Sequence, residues 1–178
     1  MKRLLACAML AFFITGCSGE KESGEETKIQ AQNQEAEVEI TEFKLSNLSN
    51  STIDVSTING GLKLSENKAS VIIFVTPNCA PCKTELSYIY TIAQKYKSDA
   101  KIMLAILGAS DDEIKELSDE FNLADEVVTK AQDLAKALNI NALPAIIISD
   151  KNGNKIRSYV GLAPVEMLES DINLAVLR

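Results

Sequence analysis

The stretch Val71-Ile72-Ile73-Phe74-Val75-Thr76-Pro77-Asn78-Cys79-Ala80-Pro81-Cys82 decides the fold of this chain. It opens with an unbroken apolar run, which is typical of a strand that is buried on both faces. Beyond Leu86, apolar side chains recur at helical spacing, at Ile89, Tyr90, Ala93 and Tyr96. The two cysteines therefore lie where a buried strand passes into a helix.

A Cys-x-x-Cys pair at such a junction is typical of a thiol–disulfide redox site. Cys79 lies at the helix N-terminus, where unpaired N–H groups and the positive end of the helix dipole favour a thiolate. Cys82 follows one turn later and can form a disulfide with Cys79. Pro81 fits the first helical turn and stiffens it. We expect Cys79 to be the more exposed, attacking thiol and Cys82 to be the more buried, resolving thiol.

Composition excludes several kinds of site. The chain has 178 residues, a formal net charge of −7 and no histidine, so it has no imidazole base and no histidine metal ligand. An acidic chain also lacks the basic surface that nucleic-acid binding needs. A zinc site needs about four ligands, and no further free cysteine is expected to complete one. We therefore expect no metal and no cofactor beyond a redox-active disulfide, with a redox-inert structural disulfide as the alternative.

The N-terminus has the pattern of a targeting segment. A short basic start precedes the apolar stretch 4–14, which is too short to span a bilayer as a mature helix. The following Ile14-Thr15-Gly16-Cys17 resembles a bacterial lipobox, in which the cysteine is lipidated and becomes the new N-terminus. We expect a lipoprotein signal peptide over 1–16 and a lipidated Cys17 that begins a flexible acidic tether over 17–37. The alternative is an ordinary secretory signal that is cut nearby.

Residues 38–178 have the size of one domain. Patterning predicts strands over 38–48, 52–58, 71–75, 100–107, 145–148 and 156–160, and helices over 79–97, 111–121, 131–138 and from 164 onward. Asp150-Lys151-Asn152-Gly153 favours a hairpin turn, whereas the strands that flank the first helix should be parallel. The sequence thus predicts an α/β fold: a central mixed sheet flanked by helices, with an N-terminal β extension and an α-rich insert over 111–138.

Four segments carry a resemblance to a known family: Phe43-Lys44-Leu45, the string from Cys79 to Leu86, Asn141-Ala142-Leu143-Pro144, and Asp150 to Gly153 followed by Gly161. Over 38–178 the chain resembles the TlpA/ResA-like family of membrane-tethered thioredoxins. The resemblance implies a thioredoxin-like fold and a thiol–disulfide oxidoreductase. The chain departs from the family at Asn78, where an aromatic residue is usual, and at Ser87, where a proline is frequent.

The resemblance also implies roles for individual residues. Pro144 matches a cis-proline that faces the cysteine pair, and the backbone of Leu143 would then pair with an extended substrate segment. Glu85 matches a glutamate that tunes the cysteines. The alternatives are an ordinary trans proline and a solvated helix residue that is favourable for the dipole alone. Tyr88 we interpret as a packing residue.

The expected protein is a monomeric, lipid-anchored enzyme on the extracytoplasmic face of a bacterial membrane, facing the periplasm where the cell has two membranes. The family implies that it reduces protein disulfides, with electrons from a membrane donor, often in cytochrome c maturation. Two alternatives stay open. One is a DsbA-like oxidant, because Cys-x-x-Cys potentials differ widely. The other is a non-catalytic lipoprotein that uses the thioredoxin scaffold for binding.

Overall fold

The computed structural model describes residues 40–178, so the predicted signal peptide, the lipidation site Cys17 and the tether lie outside the described residues. The strands are β1 Thr41–Asn47, β2 Thr52–Ile58, β3 Gly61–Leu64, β4 Ala69–Val75, β5 Ala100–Ile106, β6 Val127–Thr129, β7 Ala145–Ser149 and β8 Lys155–Val160. The helices are α1 Ala80–Tyr96, α2 Asp111–Glu120, α3 Gln132–Ala137 and α4 Val165–Leu177. In this part of the chain, no helix is long and apolar enough to cross a bilayer.

The strands of this region form one mixed sheet in the order β3-β2-β1-β6-β5-β4-β7-β8. Strands β4 and β5 are parallel and connected through α1, as the sequence predicts. Strand β7 runs antiparallel to β4 on its other side, with Ala145 opposite Phe74. The segment that precedes β7 therefore lies at the end of β4 from which the cysteine motif begins.

Strand β4 is buried on both faces of the sheet, which explains its unbroken apolar run. On one face Val71, Ile73 and Val75 join a core to which α1, α2 and α4 contribute. On the other face Ile72 and Phe74 join a second core built from β1 to β3 and α3. The cysteine motif thus follows a strand that is fixed from both sides.

Two strands differ from the sequence predictions. Asn59 and Gly60 form the turn expected after β2, both with positive φ, but the chain reverses there and pairs again as β3. Strand β6 lies inside the predicted α-rich insert, which is therefore not purely helical. This short strand forms because it pairs on both sides, with β5 through Leu104 and Val127 and with β1 through Asn47 and Val128.

Strand β3 is fastened to the centre of the sheet by a pair of buried serines. The Leu62 amide donates to Ser149 Oγ over 2.9 Å, and Ser70 Oγ donates to the Leu62 carbonyl over 3.1 Å. A Cβ at Gly61 would collide with the Gly153 carbonyl oxygen in the β7–β8 turn and would lie 2.7 Å from the Lys155 amide nitrogen. The β7–β8 turn therefore packs directly against the start of β3, where the space at position 61 admits only glycine.

Candidate active site

The two cysteines lie at the N-terminus of α1 and are joined in a disulfide, with their Cα atoms 5.1 Å apart. Cys79 is the N-cap residue, with extended backbone angles (φ −110°, ψ 102°), and its Sγ accepts a hydrogen bond from the Cys82 amide over 3.2 Å. Pro81 lies in the first turn, where its missing N–H leaves no helical hydrogen bond unmade. The helix thus directs an amide donor at the first sulfur, which favours a thiolate there.

The two sulfurs differ in their access to solvent. Cys82 is fully buried against the core under α1, whereas Cys79 is partly exposed. This asymmetry matches the expected order, in which the exposed thiol attacks and the buried thiol resolves. The roles themselves stay predictions.

Pro144 ends the loop before β7, and the Leu143–Pro144 peptide bond is cis, so the trans alternative is wrong. The Pro144 carbonyl accepts a hydrogen bond from the Gly161 amide over 2.8 Å. Leu143 and Cys79 are both partly buried against the same core. The fold thus brings the predicted substrate-binding segment and the cysteine motif to one end of the sheet.

Glu85 is fully buried, so the alternative of a solvated helix residue is wrong. It lies one turn after Cys82, and side chains at this spacing share a helix face. Its Oε1 accepts from the Tyr88 hydroxyl over 2.8 Å and from the Ala163 amide over 3.3 Å, whereas Oε2 has no hydrogen-bond partner. Burial raises the pKa of Glu85, and the hydrogen bonds from Tyr88 and Ala163 oppose this rise only in part.

Tyr88 is a functional candidate that the sequence interpretation missed. Its hydroxyl oxygen lies 2.8 Å from Glu85 Oε1 and 2.8 Å from the Ala163 carbonyl oxygen. Burial raises the pKa of Tyr88, and the neighbouring Glu85 carboxylate raises it further. The spacing of three residues from Glu85 on one helix could have predicted that the two side chains meet. Nothing in the sequence indicated the contact with Ala163.

Lys83 follows Cys82 in the sequence, and its ammonium is paired with Glu120 of α2 at 2.9 Å. Both side chains are about half exposed, so this cation is screened and acts weakly on the cysteines. Asn78 is exposed directly before Cys79. Within residues 40–178, no three His, Cys, Asp or Glu side chains are grouped closely enough to hold a metal ion.

Known proteins share parts of this sequence and its fold. The sequence model of the thioredoxin-like domain family matches residues 63–174. The chain is similar to the thiol–disulfide oxidoreductase ResA of Geobacillus kaustophilus (strain HTA426), with 28% identity over 93 residues. That alignment covers 51% of this chain and 53% of ResA, so the chain matches about half the length of this curated relative.

Solved structures show the same fold. A thioredoxin-family thiol:disulfide interchange protein from Chlorobium tepidum TLS superimposes with a TM-score of 0.63 at 16% identity, covering 76% of this chain and 93% of that one. StoA from Bacillus subtilis superimposes with a TM-score of 0.59 at 19% identity, covering 74% and 96%. The prediction of a thioredoxin-like fold is thereby confirmed. Because the family match spans more than half of its residues, the chain belongs to the thioredoxin-like domain family.

Proposed function

We propose that this protein is a thiol–disulfide oxidoreductase of the ResA type, in which Cys79 and Cys82 exchange with disulfides of protein substrates. The observation that carries the proposal is the disulfide at the N-terminus of α1, with one sulfur exposed and the other buried. The similarity to ResA supports the same activity. Catalysis needs no cofactor beyond this disulfide.

The reaction begins with the reduced pair. The Cys79 thiolate attacks one sulfur of the substrate disulfide, and the other substrate sulfur leaves as a thiolate that takes a proton from solvent. The Cys82 thiol then loses its proton and attacks Cys79 Sγ, which releases the second substrate sulfur. Two electrons have passed to the substrate, and the protein is left with the Cys79–Cys82 disulfide.

The burial of Glu85 supports a role in handling the proton of Cys82. A buried thiol cannot release its proton directly to water, and Glu85 is the buried carboxyl on the next turn of the same helix face. A raised pKa brings this carboxyl closer to neutral pH, where a proton acceptor works best. We assign Glu85 as the group that takes the Cys82 proton as the disulfide closes.

Substrate binding is assigned to the segment before β7. The Leu143 backbone would pair with an extended substrate segment in the manner of strand addition, with Pro144 beside the disulfide. Asn78 replaces the bulkier residue usual in the family, which leaves a more polar rim around Cys79. Protein disulfides with polar residues near their cysteines would suit this rim.

Location and direction complete the proposal. The lipobox-like segment that ends at Cys17 and the acidic tether support a lipid-anchored enzyme on the extracytoplasmic face of a bacterial membrane. The resemblance to ResA supports reduction of protein disulfides, with electrons from a membrane donor, as in cytochrome c maturation. An oxidant of the DsbA type and a non-catalytic binding protein are alternative outcomes of the tests.

The order of attack can be tested by trapping. Cys82→Ser should accumulate mixed disulfides through Cys79, because nothing remains to resolve them. Cys79→Ser, the matched control, should accumulate few or none on a non-reducing gel. Trapping only through Cys82 would overturn the assigned roles, and failure of both variants and the wild type to react would favour a binding protein. The direction can be tested by the reduction potential of the Cys79/Cys82 pair. A potential of about −270 mV supports a reductant, whereas one of about −120 mV supports an oxidant.

A further inference from the structure

The hydroxyl of Tyr88 has more acceptors than protons. A phenol carries one hydrogen and can donate one hydrogen bond at a time. Two oxygens, Glu85 Oε1 and the Ala163 carbonyl, nevertheless lie at the same 2.8 Å from it. With Glu85 ionised, both of these oxygens are pure acceptors, so one of the two short contacts would lack a hydrogen.

A proton on Glu85 satisfies every contact. A protonated Oε1 donates to the Tyr88 oxygen, Tyr88 donates to the Ala163 carbonyl, and the Ala163 amide donates to Oε1 over 3.3 Å. The unpartnered Oε2 is then a neutral carbonyl oxygen rather than part of a buried charge. Burying a neutral oxygen without a partner costs less than burying a charged one.

The loop that receives this hydrogen bond also contacts the predicted substrate-binding segment. The Gly161 amide donates to the Pro144 carbonyl over 2.8 Å. Ala163 lies two residues later, nearly fully buried, directly before Pro164, the N-cap residue of α4. Ala163 therefore uses its N–H on Glu85 and its carbonyl on Tyr88. When the Tyr88 hydroxyl changes its acceptor between Glu85 and Ala163, the hydrogen bonding of Ala163 changes. Ala163 is two residues from Gly161, which bonds to Pro144.

We propose that Tyr88 is a positioning residue that couples the proton on Glu85 to the loop 161–164. Its hydroxyl donates to the Ala163 carbonyl while Glu85 is protonated and turns to Glu85 when that carboxyl is ionised. This rests on the proposed function, in which Glu85 gains and loses a proton in each cycle. The loop beside Pro144 is then held more firmly directly after the disulfide closes, while Glu85 holds the Cys82 proton.

The surroundings of Glu85 leave few other groups to account for such a response. The groups that act on its pKa come from two elements, the Tyr88 hydroxyl on α1 and the Ala163 amide before α4. The Cys82 sulfur lies one turn away on the same helix and does not titrate while it is disulfide-bonded. Lys83, the cation on the same turns of α1, is exposed and paired with Glu120.

The test combines two spectroscopic readouts on the oxidised full-length protein. Infrared difference spectra over a pH titration report the carbonyl band of protonated Glu85, which is identified by its absence in Glu85→Gln. Carbon-13 NMR reports the Ala163 carbonyl over the same titration. The variant is Tyr88→Phe, and the matched control is Tyr96→Phe, which also removes a hydroxyl that donates to a backbone carbonyl on α4.

In wild type and Tyr96→Phe, the Ala163 carbonyl should titrate with the same midpoint as the Glu85 band. In Tyr88→Phe the carbonyl should no longer follow that midpoint, and the Glu85 band should shift because the acid has lost its acceptor. Glu85→Gln, whose amide can donate to Tyr88 as the protonated acid does, should hold the carbonyl at its low-pH shift throughout. A carbonyl that does not follow Glu85 in wild type, or still follows it in Tyr88→Phe, would overturn the proposal.

These readouts are made without substrate, so they are independent of turnover. Reduction of insulin disulfides by the dithiol form, measured on the same preparations, tests the proposed function separately. Wild type that fails to reduce insulin while the Ala163 carbonyl follows Glu85 would remove the enzymatic role and leave the coupling. Wild type that reduces insulin while the Ala163 carbonyl does not follow Glu85 would refute the proposed role of Tyr88 and leave the enzymatic function standing.

Discussion

Replacement of Glu85 by glutamine should remove a pH dependence from the stability of the folded protein. Because the pKa of Glu85 is raised by burial, the native state keeps this proton to a higher pH than the unfolded chain, whose glutamates have a pKa of about 4.3. The contribution of protonated Glu85 to the free energy of unfolding is therefore fully present below about pH 4.3. It is lost as the pH rises through the folded pKa, and above that pKa the free energy no longer changes through this group. Glutamine cannot ionise and gives no such fall.

The size of the effect follows from the environment of the carboxylate. Ionised Glu85 has one fully buried oxygen with no partner, and an unsatisfied buried group costs about 1–3 kcal/mol. Burial raises the pKa of Glu85, so this cost appears as the carboxyl loses its proton above the pKa of a free glutamate. The free energy of unfolding of wild type should thus decrease by about 1–3 kcal/mol relative to Glu85→Gln between pH 4 and pH 7.

Urea unfolding of the oxidised protein, followed by circular dichroism at several pH values, measures this difference. Other titrating groups contribute equally to both proteins and cancel. Any constant cost of burying the glutamine amide shifts the two curves apart without changing their slopes. Glu116→Gln, an exposed change on α2, should follow wild type at every pH. Parallel curves for wild type and Glu85→Gln would show that Glu85 has an ordinary pKa and would refute the reasoning.

Three further changes test other parts of the structure. Cys17→Ala should abolish palmitate labelling and release the protein from membranes, and unchanged labelling would exclude this cysteine as the lipid site. Ser149→Ala leaves the buried Leu62 amide without its acceptor and should lower the free energy of unfolding by about 1–3 kcal/mol. The control Ser158→Ala, at an exposed position of β8, should change this free energy little. Equal losses in the two variants would contradict the prediction. Phe74→Ala empties a fully buried site and should cost about 3–5 kcal/mol in a denaturant titration, so a loss under about 1 kcal/mol would count against the two-sided burial of β4.

Local patterns predicted the part of the site that local chemistry determines. The apolar run of β4, the helical spacing after Leu86 and the position of Pro81 in the first turn all indicated a strand-to-helix junction at Cys79, and the structure has it there. These features act within a few residues, so they can be read from the sequence alone. The cis bond before Pro144 required the family resemblance, because nothing local distinguishes it from a trans bond.

Contacts between distant segments were not predictable. Glu85 is a charged residue in the second turn of α1, where exposure is the ordinary outcome. The loop before α4 nevertheless covers it, and the Ala163 amide donates to its carboxyl. The bond from Tyr88 to Ala163 joins residues 75 positions apart. Strand β6 has no strong pattern of its own and exists because β1 and β5 both offer partners. In each case tertiary packing decided what sequence periodicity left open.

The attachment of β3 has a consequence for behaviour at high concentration. An edge strand offers unpaired backbone groups on which other chains can assemble into aggregates, and β3 and β8 are the two edges of this sheet. The Leu62–Ser149 bond and the close approach at Gly61 hold β3 against the hairpin that carries β8. Any side chain at position 61 would push these edges apart, so its first visible effect should be self-association rather than loss of redox chemistry.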